Sequence, residues 1–314
     1  MVGPLATSRA ESSRNDFRGR LDLAFRAYIA VVVLGGVAVL APAVRSLDLS
    51  VALGLEPAFW VVCAMLLAAE ARPLFTAGAR DANGLVLSTA LVFALLLRYG
   101  LPVAVVVQAI AVVVSDNARG KAPWRIAFNV GQYSISWAAA ALAVELLGLD
   151  PTTTAPVDLV GPDLLAAVGG GLAYFVTNQV LVTLVLSLKT GRGPWSLLRD
   201  DLAYEGVSNG ALLALGPLIV LTMEEGTAFL PLLLPPLLAV YKVASIALER
   251  EQQALTDLLT GLPNRKLLTE RTAEAFDQSP VVALLLFDLD ASRRSTTRSG
   301  TTSGTSCSSS WPRG

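Results

Sequence analysis

Eight stretches of this chain carry almost no charge, and no soluble core needs so many. They run at about 25–44, 51–69, 84–97, 101–115, 126–148, 164–188, 207–223 and 227–247. Most approach the roughly 20 apolar residues that a helix needs to cross a bilayer. Apolar residues make up 54% of the 314 and charged residues only 16%, against about 25% charged in ordinary soluble domains. The expected fold is therefore mainly α, a polytopic membrane helix bundle of about eight spans over residues 25–247, partnered by the lipid bilayer.

Charge in the connecting segments sets the expected orientation. Arg9, Arg14, Arg18, Arg20, Arg72, Arg80, Arg119, Lys121, Arg125, Lys189, Arg192 and Arg199 fall in alternate segments. Arg45 and Arg98 lie on the other side, with Asp150, Asp158, Asp163, Glu224 and Glu225. The excess of cations on one side places both termini in the cytoplasm, with the chain in the inner (plasma) membrane. That requires an even number of spans. The third and fourth stretches, separated only by Arg98-Tyr99-Gly100-Leu101-Pro102, also read as one broken span, which gives seven. Residues 1–24 read as a cytoplasmic segment. Their Arg-rich character before an apolar run and Ala41-Pro42-Ala43 also fits a cleaved signal peptide, but the long polar leader favours an uncleaved first span.

Other function classes recede on composition. The chain has no histidine, which removes histidine-based acid–base or metal chemistry. Its two cysteines, Cys63 in a span and Cys307 near the end, make no disulfide framework. A net charge of −1 gives no support for a nucleic-acid partner, and there is no phosphate-cradling loop. Gly169-Gly170-Gly171 lies inside an apolar run, where small residues let helices approach closely.

Polar residues inside spans are costly and mark candidate sites. Asn129 and Gln132 lie within a helical turn of each other, beside Tyr133. Asn178 and Gln179 sit mid-way along the sixth stretch. These four read either as an intramembrane ligand pocket or as interhelical hydrogen bonds that hold the bundle together. Glu70 and Arg72 read as interfacial. No span shows the paired acids or broken helix that favour a transporter.

Residues 248–256 are charged and strongly helix-forming, with Leu248 and Leu255 seven apart. They read as a signalling linker, with a homodimer through that helix, or as a plain solvated helix. Gly261 and Pro263 then end it, and Asn264 caps an amphipathic helix over about 265–277. Asp257 and Arg265 are placed to pair across the turn. Val281–Leu289 is an unbroken β-prone run that ends in carboxylates, the pattern of a buried central strand.

The nine residues Asp257-Leu258-Leu259-Thr260-Gly261-Leu262-Pro263-Asn264-Arg265 match D-x-L-T-G-L-x-N-R at every specified position. With that motif, residues 257–290 resemble the start of a GGDEF (diguanylate cyclase) domain. The resemblance covers about 12% of the chain. It implies a truncated α/β domain here and, for an intact parent, the joining of two GTP molecules into cyclic di-GMP with Mg²⁺. It implies that Asp288 and the Leu289 carbonyl are metal ligands. In the family, the motif with Asp257, Leu259, Thr260, Gly261, Leu262, Asn264 and Arg265 joins input to catalytic domain and is not catalytic. The family's GTP-binding Lys and Asn, and its GGDEF hairpin, have no counterpart in these residues, so no cyclase activity and no cofactor are expected of the chain as written. A transporter or receptor without enzymatic activity, and a degenerate GGDEF or GGDEF–EAL protein, remain as alternatives.

Residues 291–314 are Ser, Thr, Arg and Gly with almost no aliphatics, a composition expected to be disordered. They also fit a displaced reading frame. GAC CGC TTC less one C gives GAC GCT TCA, which encodes Asp290-Ala291-Ser292. In the restored register every constrained position permits the family's continuation F-K-x-x-N-D-x-x-G-H-x-x-G-D.

Overall fold

The computed structural model describes residues 4–47, 56–71, 88–149, 161–233 and 264–278, with isolated positions at 235, 236, 239, 242, 257, 260, 262, 283 and 285. The chain divides into two compact units, Met1–Ala244 and Ser245–Gly314.

In the first unit the described residues form helices α1 (Pro4–Ser46), α2 (Pro57–Ala71), α3 (Ser88–Ala118), α4 (Pro123–Leu146), α5 (Pro162–Thr190) and α6 (Pro194–Glu225). A 3₁₀ turn follows over Thr227–Leu233. Proline stands in the first turn of α4, α5 and α6, where its missing N–H costs nothing. Helix α1 is helical from Pro4, 43 residues in all, so the polar residues ahead of the first apolar run are continuous with it. Likewise α6 begins at Pro194, well before the apolar run that starts near 207.

Among the described residues three helices are long and apolar enough to cross a membrane: Leu21–Ser46 within α1, α3, and α5. Of the eighth stretch, only the 3₁₀ turn and a few isolated positions are described.

Helix α3 is not straight. Gly100 sits at φ 79°, ψ 178°, a region open essentially to glycine alone. Ser88 Oγ donates to Glu70 Oε1 at 2.6 Å and Gln108 Nε2 donates to the same oxygen at 3.0 Å. Twenty residues of straight helix would hold Ser88 and Gln108 about 30 Å apart. The chain therefore folds back at Gly100, and α3 is a hairpin of two arms, 88–99 and 101–118. Pro102 in the first turn of the second arm suits that restart.

The first arm is the centre of the unit. Every residue from Ser88 to Leu97 is buried, so all its faces are covered by protein. Phe93 shows how the neighbours make room. Added Cβ atoms on Gly170 and Gly171 of α5 would lie 3.6 and 3.7 Å from its ring, and one on Gly216 of α6 would lie 2.5 Å from it. On the remaining side Phe93 stacks on Trp137 of α4, which stacks in turn on Tyr174 of α5 at 4.0 Å between centroids. The Gly169–Gly171 run thus serves close helix packing.

Contacts also fix helix directions. Phe25 meets Trp124, Tyr28 meets Phe128, and Gly35 faces Ile135, so α1 and α4 run parallel. Their backbones touch at Gly36 and Gly131, where a Cβ on Gly36 would fall 2.3 Å from Gly131 Cα. Helix α5 runs antiparallel to α4, since Gly169 faces Leu147, Gly170 faces Ala140 and Val144, and Tyr174 meets Trp137. Helix α6 opposes α5 in turn, with Leu213 at Gly171 and Gly206 at Phe175.

In the second unit the structure corrects the expected α/β domain: among the described residues there is no strand. Asp257, Thr260, Leu262 and Asn264 precede helix α7 (Arg265–Gln278), and Ala283 and Leu285 belong to neither helix nor strand. An apolar run becomes a strand only where neighbours accept and donate its backbone hydrogen bonds, and no partner strand is present among those residues. The linker at 248–256 and the tail at 291–314 lie outside the described residues.

Candidate functional site

The polar interior of the first unit has two parts. The larger begins at Glu70, near the C-terminal end of α2. Glu70, which the sequence places at the end of an apolar run, is only 3% exposed. Its carboxylate accepts from Ser88 and Gln108, one on each arm of α3. Its backbone carbonyl accepts from Arg119 Nη1 at 2.6 Å. This one residue therefore ties α2 to both arms and to the turn after α3.

Arg119 links Glu70 to a second acid. Asp116, 1% exposed, accepts from Arg119, from Lys121 Nζ at 2.9 Å and from Asn129 Nδ2 at 2.7 Å. The turn that places these cations is closed by backbone bonds from Arg119 to Ser115, Gly120 to Asn117 and Lys121 to Asp116. Gly120, at φ 67°, supplies its left-handed corner. A buried carboxylate demands such partners, because an unpaired charge away from water costs several kcal/mol (~3–5).

The position of this network follows from helix length. Arg98, beside the hairpin break, lies 3.6 Å from Glu56 just before α2 and 4.0 Å from Glu224 at the end of α6. Fourteen residues separate Glu56 from Glu70, about 21 Å of helix. The Arg98 group and the Glu70 group thus mark opposite ends of α2, closer together than the ~30 Å of a bilayer's apolar core.

The second part lies between α4 and α5. Their antiparallel register, with Trp137 level with Tyr174, sets Gln132 level with Asn178 and Gln179. Gln132, Gln179 and Trp137 are buried. Gln132 Oε1, Asn178 Oδ1 and Trp137 Nε1 are buried without a hydrogen-bond partner among the described residues. This layer offers two acceptors and one donor, a pattern that a water or a small uncharged polar ligand can satisfy.

The four polar residues singled out by sequence thus separate. Asn129 belongs to the Asp116 network, whereas Gln132, Asn178 and Gln179 share the α4–α5 layer. Sequence reasoning missed Ser88, Gln108 and Asp116. Gln108 is the lone amide in the run 101–115, and Asp116 directly follows that run, so intramembrane polarity was a usable signal for both. The break offered by the sequence between the third and fourth stretches is at Gly100 of α3.

In the second unit the motif residues build a compact turn. Asp257 Oδ1 accepts from the backbone N–H and the hydroxyl of Thr260, each at 2.9 Å. Asp257 N–H donates to the Leu262 carbonyl at 2.8 Å, and Leu262 N–H donates to Thr260 Oγ1 at 3.3 Å. Asn264 Oδ1 then caps α7, accepting from Lys266 and Leu267 N–H, as expected of an N-cap. Arg265 is the first residue of α7. Leu259, Gly261, Asp288 and Leu289 lie outside the described residues. Among the described residues no group of three or more His, Cys, Asp or Glu side chains is placed to hold a metal ion.

No family model matches the chain, and neither a curated protein nor a solved structure matches it.

Proposed function

We propose that the chain is the membrane portion of a signalling protein of the diguanylate cyclase type, with both termini cytoplasmic and eight membrane-crossing segments. The observation that carries this reading is the match at all seven specified positions of Asp257–Arg265, downstream in sequence of the apolar runs. The turn geometry supports it, since Asp257, Thr260 and Asn264 each hold a backbone group there, a use that explains these residue types at these positions. The parallel course of α1 and α4, each opposed to α5, supports an alternating path through the membrane.

On this reading the 314 residues by themselves turn over no GTP. One acidic side chain and one carbonyl, Asp288 and Leu289, fall short of the oxygen shell that Mg²⁺ requires, and the hairpin that completes the family's site is not in this sequence. The deciding measurement is to resequence the gene across the codons for Asp290 and Ala291 and to read on in the restored frame. A frame that opens into F-K-x-x-N-D and a GGDEF hairpin supports the proposal, and the restored protein should then make cyclic di-GMP. A frame that opens into neither sinks it.

A second reading, a transporter or receptor without enzymatic activity, is favoured by one observation: the broken helix α3, with the buried Glu70 bridging its arms. Broken helices and intramembrane carboxylates often mark solute paths. Solute or proton flux through liposomes carrying the chain, lost in Glu70→Gln, would favour this reading over the first.

A further inference from the structure

We propose that the groove between α1, the second arm of α3 and α4 is a binding site for one anionic phospholipid. The proposal rests on the reading of the first unit as a membrane bundle. The groove encloses about 410 Å³ and runs along α4 from Pro123 to Gly131, about 12 Å of helix. Val33, Val37 and Leu40 of α1 form one wall and Val113 of α3 the other, with Gly36 and Gly131 at its base. It exists because the two glycines bring α1 and α4 into backbone contact and leave no side chain to fill the space above them. Its lining is that of an acyl-chain slot, since Asn117 is the one polar side chain that lines it.

The chemistry at one end selects the headgroup. Asn117 and Pro123 close the groove beside the turn that carries Arg119, Lys121 and Arg125. Residues 116–127 carry these three cations against one carboxylate. Arg119 and Lys121 both pair with Asp116, and Arg119 also reaches Glu70, so the headgroup selection falls chiefly to Arg125. Arg125 is exposed, with its guanidinium 5.3 Å from the ring centroid of Trp124. Trp124 is 41% exposed, as befits an indole at headgroup level. Basic residues at the cytoplasmic mouth of an apolar groove between helices are the pattern that retains anionic lipid. A zwitterionic headgroup gains less from this turn, because its own cation meets that of Arg125.

The test uses the full chain purified in detergent, with phosphatidylglycerol or phosphatidylcholine added and retention read by native mass spectrometry. The wild-type chain should hold one phosphatidylglycerol at concentrations where phosphatidylcholine is lost. Arg125→Gln should raise the phosphatidylglycerol concentration for half-occupancy about fivefold. Val113→Trp and Val37→Trp, both at exposed positions on opposite walls, should abolish retention by filling the slot. Equal retention of the two lipids, no effect of Arg125→Gln, or unchanged retention in a monodisperse tryptophan variant would each overturn the lipid site. A chain that stays soluble without detergent would instead overturn the membrane reading on which it rests.

Discussion

Two segments of the first unit have nearly the same hydropathy and opposite environments. Over its most apolar 18 residues Leu21–Ser46 has a mean hydropathy of 2.4 with 17% of them buried, whereas those of α3 have 2.2 with 61% buried. On α1, Val31, Leu34 and Val37 are more than half exposed. On the first arm of α3, ten consecutive residues are buried. Hydropathy sends both segments to the membrane, but it does not choose which one the other helices surround. In lipid that choice belongs to shape and polar partners, because lipid tails are as apolar as leucine. Here the shape comes from Gly100 and from the glycines around Phe93, and the partners come from Glu70.

The largest way to break the contrast is at Gly100. A β-branched side chain is excluded from φ 79°, ψ 178°, so Gly100→Val should prevent the hairpin and leave little monodisperse protein. Gly100→Ala should survive with a loss of about 1–3 kcal/mol, read as a lower midpoint in detergent unfolding. Wild-type stability in the valine variant would show that α3 can run straight. Next comes Phe93→Ala, which empties the seat made by Gly170, Gly171 and Gly216. It should cost about 3 kcal/mol, the low end for a buried phenylalanine because the gain from leaving water is absent here. A cost near zero would mean that the first arm is not the packing centre.

These two sites also show what the sequence discloses. The bundle's membrane character was legible from the runs alone, and so was the use of Gly169–Gly171 for close packing. The hairpin was half legible: Gly100-Leu101-Pro102 marks a break, but a break does not say whether the chain kinks or reverses. Only the shared partner of Ser88 and Gln108 settles that. The burial of Glu70 was not legible, because an acid at the end of an apolar run reads as solvent-facing until the helix beside it is known. Asn264 was legible as a helix cap because capping is decided within three residues. Of the strand expected at Val281–Leu289 only Ala283 and Leu285 are described, and neither is in a strand; strand formation depends on partners that a local pattern does not contain.

A smaller effect should follow at the polar tie between α2 and α3. Glu70→Leu leaves the Ser88 hydroxyl and the Gln108 amide without their shared acceptor, at a cost of about 1–3 kcal/mol. Glu70→Gln keeps an acceptor oxygen and should cost less than half as much. Unfolding midpoints for both variants check the order. If leucine proves the more stable of the two, the hydrogen bonds do not hold the arms together, and packing around Phe93 suffices.

The smallest effect belongs to the lipid-facing side of α1. Leu34 is 68% exposed, so Leu34→Ala removes contacts with solvent or lipid and almost none with protein. In a membrane its side chain is surrounded by hydrocarbon before and after unfolding of the bundle, and the change should stay within about 0.5 kcal/mol. Leu95 in the first arm has the same side chain and is fully buried, so Leu95→Ala should cost about 2 kcal/mol or more through the cavity it leaves. The same substitution at equal hydropathy then reads out environment alone. If the two variants unfold at the same midpoint, the covered and uncovered helices are energetically alike, and the buried position of the first arm contributes nothing to stability.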